Sequence, residues 1–150
     1  MNELRNELTL DPAGLGYAPL LADGSATQVA ALLNEPRYEA LGRVAITPLL
    51  EWIAVHGIMA RLRAAAAGTD AQVASIAEVA LMLVSNPNIP ALDLSRPRVQ
   101  EMLAALATAG VIPQDAHDEL LALGTVRESR AQQLGLGTVT ADDVSRAVEE

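Results

Sequence analysis

The side chains able to do chemistry are few, and their spacing decides how far they go. There are two histidines and no cysteine in 150 residues. A zinc–thiolate site, a disulfide, a thiol nucleophile and a three-histidine metal site within one chain are therefore excluded. His56 follows Trp52 by four residues and shares its helical face among apolar neighbours, which reads as a hydrogen-bonded core or inter-helix histidine. His117 sits in Asp115-Ala116-His117-Asp118-Glu119, an acidic helix face whose spacing fits no metal-ligand pattern, so no metal is assigned. Gly14-Leu15-Gly16-Tyr17 lacks the preceding strand, the third glycine and the lysine of a phosphate loop. The serines include no Gly-x-Ser-x-Gly elbow. Glu51 and Glu78, on the two most apolar stretches, are the carboxylates expected to be desolvated, opposite Arg61 or Arg63 as structural ion pairs. The expectation is a protein that is not an enzyme and takes no cofactor.

Composition narrows the class. Hydrophobic residues make up 51% and aromatics 2%, with no Phe, so the apolar bulk is Ala and Leu, which favours helices. Ten basic against nineteen acidic residues give a formal charge of −9, a poor basis for gripping phosphates, and no nucleic-acid partner is expected. All ten basic residues are Arg, spread from Arg5 to Arg146 without forming a block. Lys and Phe, both missing, have A/T-rich codons, so a GC-rich genome accounts for their absence. The charged opening Met1-Asn2-Glu3-Leu4-Arg5 does not read as a signal peptide. Val44 to Ala67, the longest apolar region, is interrupted by Pro48, Glu51, His56, Arg61 and Arg63 and does not read as a membrane span. An aqueous, cytosolic compartment is expected.

The elements that must position these residues read as a string of helices, and the expected fold class is all-α: a multi-helix bundle around a central apolar hairpin. Asn2–Leu10 is a short amphipathic helix, and Asp11–Gly24, rich in Gly and Pro, a loop. Ser25 with Gln28 reads as a capping box for a helix to Leu33. Thr47-Pro48 opens one long helix to Ala67, apolar nearly all round and stopped by Gly68. Thr69 with Gln72 starts a second such helix, Asp70–Val84, and the short joint predicts an antiparallel hairpin. Shorter helices follow over Pro97–Ala109 and Pro113–Leu123. Thr125 with Glu128 reads as a third capping box for Val126–Leu134, and Thr140 with Asp143 caps a last helix ending near Val148.

One domain over residues 1–150 is expected, with residues 1–24 as an N-terminal arm and Asn86-Pro87-Asn88-Ile89-Pro90 as the best internal boundary. Two such apolar helices, in a chain this short, carry more surface than short flanking helices can cover, which predicts a protein interface on the hairpin. Leu50, Trp52, Ile58, Met59, Leu62, Leu81, Met82 and Leu83 are its expected residues, with the termini and the Asp11–Gly24 loop as docking arms.

The ends of the chain carry a resemblance. Glu3-Leu4-Arg5-Asn6-Glu7-Leu8-Thr9, then Asp11-Pro12, Gly14 and Gly16-Tyr17-Ala18, resembles the start of small α-helical proteins encoded by tailed bacteriophages and prophages. Ser129-Arg130-Ala131-Gln132-Gln133-Leu134, Gly137, Val139 and Asp143-Val144 is similar to their Ser-Arg-Ala-Glu-Glu-Leu-Gly ending and its short Asp-Val helix. Gln132 and Gln133 replace the acidic pair, leaving that face less charged. The likeness covers both ends and not the Ala-rich middle. It implies a virion or tail-module structural protein, located in the particle, packing as a homo-oligomer or on capsid, neck or tail proteins, and it carries over no catalytic residue. A cytoplasmic protein-binding adaptor or regulator made during infection is the alternative. Neither reading involves a membrane partner.

Overall fold

Turn residues and caps divide the chain much as their chemistry dictates. The computed structural model describes residues 2–149. Among them are ten helices and four short strands, so the fold is mainly helical but not purely so, a correction to the all-α expectation. No helix is long and apolar enough to cross a membrane. The structure divides into two compact units, residues 1–39 with 127–150 and residues 40–126.

The first unit contains α1 (Asn2–Leu10), α2 (Tyr17–Ala22), α3 (Ala26–Asn34), α9 (Arg130–Gln133) and α10 (Ala141–Glu149). Asp11 ends α1, and its carboxylate accepts from the backbone N–H groups of Leu15 and Gly16 at 2.7 Å each. That folds the stretch expected as open loop back into α2, and Tyr17 becomes fully buried. Ser25 makes no side-chain cap to α3. Ser129 and Gln132 form the capping box that starts α9, and Thr140 with Asp143 forms the cap of α10. The Thr140 hydroxyl and N–H hold the Asp143 carboxyl below its ordinary range. The core of this unit joins Leu4, Leu8, Tyr17, Val29, Leu33, Ala131, Val139, Val144 and Ala147. Leu4, Leu8 and Tyr17 from the stretch expected as an N-terminal arm, and Val144 and Ala147 near the other end, pack there, so residues 2–24 contribute to a core.

The second unit holds β2 (Arg43–Ala45), α4 (Ile46–Val55), α5 (Ile58–Ala66), α6 (Ala71–Val84), β3 (Ala91–Asp93), α7 (Pro97–Thr108) and α8 (Gln114–Gly124). The long helix expected to run to Ala67 is broken at His56-Gly57. Gly57 sits at φ 61°, ψ 33°, a left-handed conformation that ends α4 and starts α5 in a new direction. The cap of α6 is Asp70 rather than Thr69, its carboxylate accepting from Gln72 N and Val73 N. A short joint returns α6 along α5, as a helical hairpin requires. Asn86–Pro90, expected as a boundary, is the connection from α6 to β3 inside this unit. β2 and β3 pair antiparallel, Val44 opposite Leu92. The remaining strands, β1 (Pro36–Leu41) and β4 (Thr125–Ser129), pair with each other. β4 occupies the first residues of the helix expected over Val126–Leu134.

Gly124, expected as a helix stop, is the last residue of α8. A Cβ there would lie 2.3 Å from Leu94 Cδ1 and 3.1 Å from Val44 Cγ2, so any side chain at this position forces the buried Leu94 to shift where the helix end closes on β2 and the residue after β3. Around this contact the second core gathers Val44, Leu49, Trp52, Ile53, Ile58, Leu62, Ala77, Ala80, Leu94, Leu103, Leu106, Ile112, Ala116 and Leu120.

Candidate functional site

The eight hairpin residues expected at an interface separate into three groups. Trp52, Ile58 and Leu62 are buried and belong to the core of the second unit, which corrects their assignment to a surface. The break at Gly57 is the reason, because α5 turns back and folds its apolar face onto α4 and α6. Trp52 also points inward, its indole N–H donating to the Ala116 carbonyl of α8 at 2.8 Å. Met59, Leu81 and Leu83 are half-buried. Leu50 and Met82 remain exposed, at 51% and 72%.

An apolar surface does persist, displaced from the centre of the hairpin to the outer side of α6. Spacings of three and four residues put Ser75, Val79, Met82 and Leu83 on one face of that helix. The same spacing on α7 aligns Arg98, Met102 and Ala105, with Val99 and Glu101 beside them. Between the two helices lies an open groove of about 480 Å³, floored by Ile76, Val79, Leu83, Val99, Met102 and Ala105, with Ser75, Arg98 and Glu101 also lining it. Val79 is 51% exposed, and Met82 stands on the same α6 face. Neither Arg98 nor Glu101 forms an ion pair among the described residues. An apolar floor with the flexible Met102 side chain and charged margins suits a protein surface better than a small polar ligand.

Each histidine lies beside a carboxylate. His56 Nε2 is hydrogen-bonded to the Glu119 carboxylate, tying the end of α4 to α8, and its ring lies 5.9 Å from that of Trp52, tilted by 52°. His117 Nδ1 lies 3.3 Å from Asp118 Oδ1 on the same helix. Glu51, Glu78, Arg61 and Arg63 are all exposed and form no buried ion pairs, contrary to expectation. Among the described residues no group of three or more His, Asp or Glu side chains is placed to hold a metal ion.

The buried carboxylate is instead Glu7, in the first unit. Arg130 clasps it with two parallel bonds, Nε to Oε1 and a terminal nitrogen to Oε2, both 2.8 Å. The Tyr17 hydroxyl donates to Glu7 Oε1 at 3.3 Å. Burial, with the Glu7 charge beside it, pushes the Tyr17 phenol well above its ordinary value, and the hydrogen bonds to Glu7 raise the Arg130 guanidinium. The sequence did hold a signal: Glu7 lies on the stripe of Leu4 and Leu8, where a charge must find a partner. The trio clasps α1, α2 and α9 together.

No protein-family model, curated protein or solved structure matches the chain.

Proposed function

We propose that this chain is a non-enzymatic structural protein of a bacteriophage particle, a helical subunit that packs against itself or against capsid, neck or tail proteins. The observation that carries the docking role is the open α6–α7 groove, whose apolar floor and exposed Val79 and Met82 remain after both units have filled their own cores. The particle as its setting rests on the similarity of both chain ends to small phage-encoded helical proteins. Engaged histidines and a structural Glu7–Arg130–Tyr17 clasp support a role without chemistry. Mass spectrometry of purified particles tests the reading: the chain is expected among the virion proteins at stoichiometric abundance. Its absence from particles, with abundance in infected cells, would replace this reading with that of a cytoplasmic adaptor.

A further inference from the structure

We infer that the α6–α7 groove is filled by the same groove of a second copy, related by a twofold axis, with Arg98 of one copy facing Glu101 of the other. The inference rests on the docking role proposed above and names the partner. In a twofold contact each residue pair occurs twice in reversed roles, so a self-pairing face needs both a group and its complement. This face has them. Arg98 and Glu101 line one groove, carry opposite charge, stand one helical turn apart on α7, and are both exposed without an ion-pair partner among the described residues.

The apolar part is complementary in the same sense. Met82 projects from the outer face of α6, and beside it the groove offers an apolar concavity lined by Ile76, the half-exposed Val79, Leu83, Val99 and Met102. Turned about a twofold axis, the projecting side chain of each copy meets the concavity of the other. With −9 on each chain, long-range Coulomb energy opposes self-association. The contact must therefore rest on apolar burial, with local pairs of opposite sign setting the register. A partner of strong single-sign charge would leave Arg98 or Glu101 facing its own kind, whereas a second copy satisfies both.

Sedimentation velocity of the full chain is the test. The wild-type chain is expected to dimerise. Arg98→Glu and Glu101→Arg, examined separately, each bring like charges together twice per contact and should weaken dimerisation on the order of a hundredfold. An equimolar mixture of these two variants restores opposite charges at both contacts, so association near the wild-type level should return as a heterodimer. Val79→Ser, an exposed change without charge, should weaken the dimer independently. A wild-type chain that stays monomeric overturns the inference, as does equal dimerisation of all variants, or a mixture that fails to recover while both components keep native circular dichroism. Finding the chain in particles while it is monomeric in solution would remove the self-pairing alone and leave the virion role standing.

Discussion

The two units solve the same problem with different chemistry. The second closes a purely aliphatic core around Trp52, with one indole hydrogen bond as its main polar tie, and leaves apolar side chains of α6 facing out. The first admits a carboxylate, a guanidinium and a phenol into its interior, and adds Asn34, whose amide grips the backbone of Val139 from both sides. The contrast follows from how each is built. Residues 40–126 are contiguous, and short joints bring their helices together. The first unit must join segments about a hundred residues apart, and directional bonds such as Glu7–Arg130 specify which segments meet where aliphatic contact alone is indifferent.

The largest expected effect comes from removing the clasp. Glu7→Ala leaves the Arg130 charge without its partner at a site where only 2% of the Glu7 side chain is exposed, and should destabilise the first unit by about 3 kcal/mol. Hydrogen exchange read segment by segment should show protection lost in α1, α3 and α10 while α5 and α6 keep theirs. Equal loss in both units would end the idea that they are separately held. The matching change in the second unit is Gly124→Ala, whose new methyl meets the buried Leu94 and should cost about 2 kcal/mol. Trp52 is the chain's single tryptophan and lies in the second unit, so its fluorescence follows that unfolding transition directly. Alkali should give a gentler version of the first contrast. The Tyr17 phenol is raised above its ordinary value of 10.0, so its contribution is complete below that pH and is lost as pH climbs beyond it. Tyr17→Phe should flatten this alkaline decline, as seen in denaturant midpoints measured over that range. A decline equally steep in the variant would count against the phenol as its source.

Legibility in the sequence followed the range of the forces involved. α1 was readable to its ends, and α6 and α7 to within a residue, because apolar period, a cap candidate or Pro near the start and a break at the end are all local, though the α6 cap fell on Asp70 and not on Thr69. The Thr140–Asp143 cap was readable for the same reason. The Gly57 break was missed because one glycine inside a long apolar run is tolerated in helices, and only the αL geometry separates a break from an interior residue. β1 and β4 were missed because Pro36-Arg37-Tyr38-Glu39-Ala40-Leu41 alternates over only four residues after a proline, and Thr125-Val126-Arg127-Glu128-Ser129 is short, mostly exposed and holds no alternating apolar pattern. In the second case Thr125 and Glu128 imitate a capping box, while the real one begins four residues later at Ser129. Of the residues expected at an interface, Met82 is exposed and Leu83 lines the α6–α7 groove, while Trp52, Ile58 and Leu62 are buried, because hydrophobicity is the same signal for a core and for a contact. The α7 wall with Arg98 and Glu101 depends on which helix packs beside α6, and that information is tertiary.

The interrupted layout of the first unit has a consequence for biosynthesis. Ala131, Val139, Val144 and Ala147 supply part of the interior against which Leu4, Leu8, Val29 and Leu33 lie, and they are translated after residues 40–126. On the ribosome, α1 to α3 therefore wait without their packing partners while the intervening segment already has all of its own. The order of maturation runs from the middle of the polypeptide outward, and the Arg130 clasp on Glu7 is among the late steps to close.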